Sequence, residues 1–301
     1  MKVLVLGGSG IVGETFLEKA TQHQLLATYD KNEINSNIVK TFQIHLPDDS
    51  LKIKNLIIDE RPDIVINSMA YSNADFCEEN KIKTYDLHVK ITKLIATTCT
   101  EINAKLIFLS TDYVFDGEKG NYQENDIPNP INYYGETKYE AEKIILNNSK
   151  NLIIRTSLVY GSSTKVRFLN FVLDNLAKEK EIYTYNDIFN SATLVDELVN
   201  AILKSIDFNT VGILHIAGST CISRFEFANT IAKIFNFNNK LIIPISITTA
   251  KLKANRPIKP CLDNSKASKV LKMKFSTIEE GIKQIYEQKN HKKFRKMKSE
   301  N

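Results

Sequence analysis

The sequence predicts an α/β fold in which a doubly wound parallel sheet carries a smaller C-terminal lobe. Two observations predict it. Short apolar runs alternate with longer amphipathic stretches through the first two-thirds of the chain, and four of the eleven glycines fall within seven residues after the first run. Near-continuous apolar strands are typical of a sheet that helices cover on both faces. The 301 residues suffice for about two domains.

The individual elements follow from the spacing of apolar residues, because three- and four-residue intervals are typical of helices and short runs of buried strands. The predicted strands span 2–6, 25–29, 63–67, 105–109, 151–155 and 211–216. The predicted helices span 11–22, 50–60, 78–101, 133–147, about 168–180, a segment from Ser223 and about 276–288. Ser223 and Glu226 fit a capping box, from which no chemistry is expected.

The glycines lie in the turn between the first strand and the first helix. In that context Gly7 permits the tight turn, Gly10 lets the backbone approach a pyrophosphate, and Gly13 permits close packing of helix on strand. The free N–H groups of the helix N-terminus would then bind the phosphates. This strand–turn–helix context predicts a Rossmann-type dinucleotide site.

The end of the second strand bears on the choice of cofactor. Asp30 could accept hydrogen bonds from the adenosine ribose and favour NAD, whereas Lys31 could pair with the 2′-phosphate of NADP. Because the two residues are adjacent, the sequence leaves NADH and NADPH both open.

A tyrosine with a lysine four residues later occurs twice, at Tyr134/Lys138 and at Tyr139/Lys143. Chance alone gives about one such pair at this helical spacing, so context must choose between them. Tyr134 closely follows the loop Pro128-Asn129-Pro130 and therefore lies near the start of a helix, where the dipole favours a phenolate. The other tyrosine lies on a different face of that helix.

The first pair suits carbonyl reduction together with the residues after strand 105–109. Ser110, Thr111 and Asp112 would emerge at the carboxyl edge of the sheet, where ligands bind in open α/β folds. Tyr134 would deliver a proton to the carbonyl oxygen, while Lys138 would lower the pKa of the phenol and hold the nicotinamide ribose. The Thr111 hydroxyl would stabilise the developing charge.

These residues resemble those of the dTDP-4-dehydrorhamnose reductase family, within the extended short-chain dehydrogenases/reductases. The resemblance runs from residue 1 to about 288. It is carried by Gly7–Gly13, Arg61–Asn67, Ser110-Thr111-Asp112-Tyr113-Val114-Phe115, Tyr134-Gly135-Glu136-Thr137-Lys138, Arg155-Thr156-Ser157, Asn170-Phe171-Val172, Gly212-Ile213-Leu214-His215, Arg256-Pro257 and Leu262-Asp263-Asn264-Ser265-Lys266.

The resemblance implies NAD(P)H-dependent reduction of the C4 keto group of a nucleotide-linked 6-deoxysugar, with dTDP-L-rhamnose as product. The expected catalytic residues are Thr111, Asp112, Tyr134 and Lys138. The expected cofactor contacts are Gly7, Gly10, Ile11, Val12, Gly13, Asp30, Lys31, Ser68, Met69, Ala70, Tyr134 and Lys138. The expected substrate contacts are Thr111, Asp112, Leu158, Asn170 and Arg256.

The chain departs from the family at positions that contact or support ligands, while the catalytic set is intact. His45-Leu46 stands where relatives carry an Asp and an apolar residue that contact adenine, and His88 stands where an Asn is usual on the central helix. Leu158 replaces an aromatic residue, and Ile188 and Ala192 replace a Gln and a Pro of the second lobe. The chemistry therefore follows from the resemblance more directly than the identity of the sugar.

Two alternatives share the fold. A sugar-nucleotide epimerase or dehydratase shares the Tyr/Lys pair, but a Glu follows the Thr-Asp pair in dehydratases, whereas Tyr113 stands here. A non-catalytic NADP-binding regulatory subunit, like the β subunit of methionine adenosyltransferase, shares the signature Ser-Thr-Asp-Tyr-Val-Phe. The fold does not separate this subunit from the reductase, because function depends on the site and not on the fold.

The domain division follows the motifs. We expect 1–160 to form the NAD(P)-binding domain and 161–288 a substrate-binding lobe, with elements near 187–216 returning to the first domain. Residues 289–301 are expected to form a disordered basic tail. Its six cationic residues account for the net charge of +5, so the rest of the chain is nearly neutral and nucleic-acid binding is not expected.

Composition narrows the class further. No apolar run approaches the ~18 residues of a membrane span, and the N-terminus does not resemble a signal peptide. Cys77, Cys99, Cys221 and Cys261 form no CxxC pair, so we expect reduced thiols, a cytoplasmic protein and no metal site. A nucleotide-sugar substrate is the expected partner, without a membrane, and a homodimer is the candidate assembly.

Overall fold

The computed structural model describes residues 1–299, with side chains as far as Asn290. Thirteen strands occur in this part of the chain: β1 (Lys2–Leu6), β2 (Gln24–Tyr29), β3 (Lys40–Gln43), β4 (Ile64–Asn67), β5 (Lys105–Thr111), β6 (Leu152–Thr156), β7 (Val159–Tyr160), β8 (Ile182–Tyr185), β9 (Phe189–Asn190), β10 (Thr193–Leu194), β11 (Gly212–His215), β12 (Ile222–Ser223) and β13 (Ile242–Ile245). Seven of them form one sheet in the order β11-β6-β5-β4-β1-β2-β3. All neighbouring strands of this sheet are parallel.

Helices alternate along the chain with the strands of the main sheet, as in a doubly wound fold. They are α1 (Ile11–Lys19), α2 (Ser50–Glu60), α3 (Ala74–Glu79), α4 (Lys81–Tyr85), α5 (Thr92–Glu101), α6 (Tyr133–Ile145), α7 (Arg167–Leu176), α8 (Val195–Asp207), α9 (Arg224–Phe235), α10 (Ser265–Leu271) and α11 (Ile278–Ser299). A π-helical turn, Asp86–Ile91, joins α4 to α5.

Successive strand residues point to opposite sides of the sheet. Because successive residues of these strands are apolar, both faces of the sheet are apolar. Val3 and Val5 of β1 belong to a core that includes side chains of α1, α8 and α10. Leu4 and Leu6 belong to a second core that includes side chains of α2, α5 and α6. The expected fold class, a doubly wound parallel sheet of the Rossmann type, is therefore confirmed.

The strand order reverses between β1 and β4. At such a switch point the carboxyl ends of the strands border a crevice, because the connections on either side run to opposite faces. The glycine turn after β1, the loop after β4 and the segment Ser110–Asp112 at the end of β5 all border this crevice. The topology thus brings together the motifs that the sequence analysis identified separately.

A second lobe has its own apolar core, formed mainly by α7, α9 and α11 with the parallel pair β8 and β13. Residues of β11 and α8 lie with the main sheet instead, because β11 pairs with β6 and α8 contributes to the core of α1. The capping box at the start of α9 is present: Ser223 Oγ accepts from the Glu226 N–H, and the Glu226 carboxylate accepts from the Ser223 N–H.

The predicted helix 78–101 is wrong as a single element. The chain forms α3, α4, a π-helical turn and α5 there, because the Asn73 side chain caps a helix start at Ala74 and the helix ends again at Asn80. The sequence analysis also missed β3, whose alternating polar residues do not form an apolar run.

The expectation of four reduced thiols is wrong for one pair. Cys221 and Cys261 form a disulfide, with their Cα atoms 5.7 Å apart, whereas Cys77 and Cys99 are free and buried. The two bonded cysteines are separated by 40 residues, and the fold brings them together, so no local spacing could have indicated the pairing.

The expected disordered tail is also not what the backbone shows. The last helix continues to Ser299, because 289–299 contains neither glycine nor proline and is rich in residues that favour helices. Residues 300 and 301, and the side chains beyond Asn290, lie outside the described part of the structure. Within 1–299, no helix has the length and apolar character needed to cross a membrane.

A buried ion pair joins α6 to β6. The Glu142 carboxylate accepts from Arg155 Nε at 3.0 Å and from the terminal nitrogen Nη2 at 2.7 Å, and both side chains are at most 2% exposed. Two such hydrogen bonds in one plane fix the relative position of helix and strand. Removing one partner would leave an uncompensated charge in the core.

We predict that Glu142→Gln lowers the free energy of unfolding by about 3–5 kcal/mol, measured by urea denaturation. The control is Glu279→Gln, which removes one partner of the exposed Glu279–Lys283 pair and should leave the urea midpoint nearly unchanged. Equal midpoints for both variants and the parent protein would contradict the prediction.

Candidate active site

A cavity of about 650 Å³ opens at the carboxyl edge of the sheet, between the sheet and the second lobe. Segments from both the sheet domain and the second lobe supply its walls. Its lining includes Gly10, Ile11, Val12, Ser68, Ala70, Ser110, Thr111, Asp112, Tyr113, Tyr134, Lys138, Leu158, Phe168, Asn190, Arg224 and Arg256. The cavity therefore joins most of the expected cofactor and catalytic residues.

The glycine turn fits a dinucleotide phosphate group. Gly10 precedes α1 as its N-cap, and no side chain caps the helix there, so its first N–H groups face the cleft. A Cβ on Gly10 would lie 3.2 Å from the Gly7 carbonyl oxygen, a tight contact that needs a small shift of the turn. A Cβ on Gly13 would lie 2.5 Å from the same oxygen, so Gly13 is required by packing. The approach of a pyrophosphate to Gly10 stays a prediction.

Ile11, Val12, Ser68 and Ala70 line the cavity as the sequence analysis expected. Met69 does not line it, and its side chain instead lies against Gly7. The loop is fixed to β1, because Ser68 Oγ donates to the Leu6 carbonyl at 2.8 Å.

Asp30 lies just beyond the end of β2, outside the lining of the cavity. Its carboxylate pairs with Nδ1 of His45 at 2.5 Å, so the histidine that replaces the family's acid contacts the acid of the second strand. Lys31 is exposed next to it. Nothing in this geometry decides between NADH and NADPH.

The end of β5 carries a buried carboxylate. Asp112 accepts hydrogen bonds from Ser157 Oγ at 2.5 Å, from Thr111 Oγ1 at 3.1 Å and from Asn190 Nδ2 at 3.2 Å. Burial raises the pKa of this carboxyl group to about 6, although the three donors act in the opposite direction. Asp112 is therefore held rigidly in the wall of the cavity.

Of the two tyrosine–lysine pairs, the structure places only Tyr134 and Lys138 in the cavity lining. The helix starts where it does because Asn132 caps it, accepting from the Gly135 N–H at 2.9 Å. Tyr139 instead packs against the small core around Phe115, with Lys143 over its ring. The pair in the cavity is the one that the sequence analysis preferred, from the position of Tyr134 near the start of the helix.

The charges of the pair are set mainly by burial. Burial raises the pKa of the Tyr134 phenol above its usual range, and a hydrogen bond with Thr111 opposes this. Burial lowers the pKa of Lys138 to about 7, against the pull of Glu142. The Lys138 ammonium donates to the Leu109 carbonyl at 2.6 Å and lies over the Phe108 ring. Lowering of the phenol pKa by Lys138 stays a prediction.

Three substrate contacts were expected from the second half of the chain. Leu158, in the left-handed backbone region at φ 26°, and Arg256 both line the cavity. Arg256 is held there by Asp75, whose Oδ2 lies 2.9 Å from a guanidinium nitrogen. Asn170 does not line the cavity, because its amide donates to the Ser163 carbonyl at 3.0 Å and stabilises the loop before α7.

Sequence reasoning missed Arg224, Phe168 and Asn190. Arg224 lies inside the capping-box segment that was interpreted as purely structural, yet its guanidinium lies 5.0 Å over the Phe168 ring and lines the cavity. It forms no salt bridge with the side chains described. Asn190 Oδ1 and Ser110 Oγ are buried without a hydrogen-bond partner among the side chains and backbone that the structure describes, so both can bond to a ligand. Cationic residues at a helix start are the only signal that could have indicated Arg224.

A second cavity of about 500 Å³ adjoins the first. The two cavities share five residues: Tyr113, Arg167, Phe168, Arg224 and Arg256. The further lining of the second cavity includes Phe171, Tyr183, Thr184, Tyr185 and Ile188. Thr184 Oγ1 is another buried oxygen that has no partner within the described part of the chain. Ile188 thus contacts this cavity, whereas Ala192, the other substituted position of the lobe, is buried in the apolar core.

Among the side chains described, no group of three or more His, Cys, Asp or Glu residues is arranged to hold a metal ion.

The chain is similar to known proteins over most of its length. A family model described as "RmlD substrate binding domain" matches residues 1–291. The chain is 31% identical to a dTDP-4-dehydrorhamnose reductase of Aggregatibacter actinomycetemcomitans, over 76% of this chain and 82% of that protein. It is 28% identical to the methionine adenosyltransferase 2 subunit beta of Bos taurus, over 88% and 81%. A dTDP-4-dehydrorhamnose reductase of Bacillus anthracis, solved in complex with NADP, superposes with a TM-score of 0.83 at 26% identity, covering 95% of this chain and 99% of that one.

We predict that Gly10→Ala weakens binding of NADH and NADPH by about tenfold or more, because its Cβ would occupy the space through which the turn approaches a pyrophosphate. Fluorescence titration of the reduced cofactors measures the affinity. The melting temperature should fall less than in Gly13→Ala, since the Gly10 Cβ makes one tight contact at 3.2 Å and the Gly13 Cβ overlaps three backbone atoms.

Gly13→Ala is the matched control, because its Cβ overlaps backbone atoms of Gly7 and Gly8. It should lower the melting temperature clearly. Unchanged cofactor affinity in Gly10→Ala would show that the turn does not bind the phosphates.

Proposed function

The chain belongs to the family of the RmlD substrate binding domain, and on this premise we propose that it is an NAD(P)H-dependent oxidoreductase. Its substrate is a nucleotide-linked 6-deoxysugar, whose C4 keto group it reduces, and the product in the narrowest form of this proposal is dTDP-L-rhamnose. The observation that carries the proposal is one cavity lined by the open glycine turn, by Thr111 and by Tyr134 and Lys138.

The glycine turn would hold the pyrophosphate of NAD(P)H, whose nicotinamide would supply the hydride. The protein supplies the proton. Because burial raises the pKa of the Tyr134 phenol, the phenol is protonated at neutral pH and can donate to the oxygen that gains negative charge. The Thr111 hydroxyl lines the same cavity and donates to Asp112 at 3.1 Å in this structure, and by rotating it would donate to the same oxygen.

Lys138 acts on the phenolate that remains after the proton leaves. A phenolate buried in this cavity is costly, since burial disfavours the charged form. A lysine ammonium one helical turn away offsets that cost, and the bond to the Leu109 carbonyl holds it there. We therefore propose that Lys138 stabilises the phenolate that forms during the reaction. This effect adds to its expected lowering of the pKa of the resting phenol.

The substrate would extend from the catalytic cavity into the adjoining one. Arg224 and Arg256 line both, and guanidinium groups suit the two phosphates of a nucleotide sugar. Aromatic residues of the second cavity, among them Phe171 and Tyr183, offer faces against which a base can stack. This arrangement favours a nucleotide-linked sugar over a free one.

Two other functions predict different behaviour. For an epimerase or dehydratase, Tyr113 stands beside Asp112 where an additional acid would be expected, which argues against elimination. The likeness to a methionine adenosyltransferase β subunit favours a binding protein, which would bind the cofactor without consuming it and would co-purify with a partner enzyme. The intact set of Thr111, Tyr134 and Lys138 supports the reductase. A homodimer and a cytoplasmic location stay predictions.

We predict that Tyr134→Phe lowers kcat with NADPH and a dTDP-4-keto-6-deoxysugar by about 10²–10⁴-fold, because the proton donor is lost. The affinity for NADPH should stay within about threefold of the parent protein, since the ring is retained. Stopped-flow absorbance at the reduced nicotinamide band follows the turnover.

Tyr139→Phe is the matched control, because it removes the hydroxyl of the other pair, away from the cavity. It should turn over like the parent protein. If Tyr134→Phe were equally active, the assignment of the proton donor would be wrong.

We further predict that kcat/KM for reduction falls as the pH rises above about 7, by roughly tenfold per pH unit. The pKa of Lys138, lowered by burial to about 7, means that the cation is present below this pH and lost above it. A profile of kcat/KM from pH 5.5 to 9 measures this. Lys138→Arg, which keeps its charge throughout, should show a lower rate without the decline. A flat profile for the parent protein would contradict this role of Lys138.

A further inference from the structure

One buried side chain beside the catalytic pair has no part in the function proposed above. His88 lies in the π-helical turn between α4 and α5 and is 1% exposed. π-Helical turns are rare and occur frequently at functional sites. The turn directs this imidazole at α6, where it packs edge-on against the Tyr134 ring, with the ring centres 5.8 Å apart.

Both ring nitrogens of His88 are engaged. Nε2 accepts from the main-chain N–H of Tyr71 at 2.9 Å, so this nitrogen carries no proton. Nδ1 lies 2.9 Å from Thr137 Oγ1 and must therefore carry the proton and donate it. The Thr137 hydroxyl in turn donates to the Tyr133 carbonyl at 3.0 Å. The network thus assigns a single neutral tautomer to His88.

The electrostatic surroundings keep that tautomer. Burial, with a smaller contribution from the charge of Lys138, lowers the pKa of His88 to about 3. The imidazole is therefore neutral over the whole range in which the protein would work, and its two hydrogen bonds have fixed directions.

His88 connects the two sides of the catalytic cavity. Tyr71 follows Ala70, which lines the cavity on the side of the glycine turn, while Thr137 lies between the two catalytic candidates on α6. His88 itself does not line the cavity, so it cannot touch a ligand there.

We propose that His88 is a positioning residue, which holds Tyr134 and Lys138 at a fixed distance from the loop that borders the cofactor cleft. This inference rests on the proposed reductase function. A displacement of about 1 Å between reacting groups can lower a rate by about 10²-fold. The two hydrogen bonds of His88 would act on the rate of the chemical step and not on the affinity for ligands.

The test compares His88→Leu with His215→Leu. His215 is an equally buried histidine with a pKa of about 3, packed edge-on against Phe115 at the same 5.8 Å, but away from the cavity. Both variants lose a buried, hydrogen-bonded imidazole and should lose thermal stability to a similar extent. Only His88→Leu should lower kcat, by about 10- to 100-fold, with KM for NADPH within about threefold of the parent protein.

A conservative variant provides rescue. His88→Gln offers an acceptor and a donor on one planar group, and it should restore kcat to within a few-fold of the parent protein. Thr137→Val serves if His88→Leu does not fold, since it removes only the acceptor for Nδ1–H, and it should also lower kcat at constant KM. Equal kcat losses in His88→Leu and His215→Leu would overturn the proposal. An unchanged kcat in both His88→Leu and Thr137→Val would also overturn it.

A readout without turnover separates this inference from the proposed function. Two-dimensional ¹⁵N NMR of the histidine side chains should show His88 protonated only at Nδ1 and unchanged from pH 5 to 8. If the parent protein reduced no sugar while this signature held, the reductase assignment alone would fail. Titration of His88 in that range would refute the fixed tautomer itself.

Discussion

The hydrogen bond from the Lys138 ammonium to the Leu109 carbonyl joins α6, which carries the proposed proton donor, to the central sheet at the wall of the cavity. Leu109 precedes the polar end of β5, so the bond sets Tyr134 next to Thr111 and Asp112. The buried pair of Glu142 and Arg155 fixes the same helix to the neighbouring strand. The catalytic face of α6 is thus attached to two adjacent strands by charged groups, whose loss costs far more than the loss of an apolar contact.

Desolvation is the largest cause of the pKa shifts of three cavity residues, Asp112, Tyr134 and Lys138, and of His88 beside them. It raises the pKa values of Asp112 and Tyr134 and lowers those of Lys138 and His88. In the proposed reaction, the neutral Tyr134 phenol would be a proton donor whose rate depends on the charge of Lys138. The resting charge of Tyr134 is therefore controlled by burial, and the lysine contributes when charge appears on the phenol.

The parts that could be predicted from sequence are those encoded locally. Apolar runs located β1, β2, β4, β5 and β6, and the glycine spacing located the turn. What could not be predicted depends on contacts between distant segments. The disulfide joins residues 40 apart, Arg224 enters the cavity from a helix start, and Asn170 turns away to bond a loop carbonyl. The π-helical turn that carries His88 is hidden within a run of ordinary helical periodicity.

The most direct test of the central claim follows the hydride itself. Incubation with NADPH deuterated at the transferred position of the nicotinamide, and with a dTDP-4-keto-6-deoxysugar, should give a sugar product that carries deuterium at C4, as seen by NMR. Bound but unconsumed cofactor, with no deuterium in the sugar, would contradict the reductase and leave a nucleotide-binding protein.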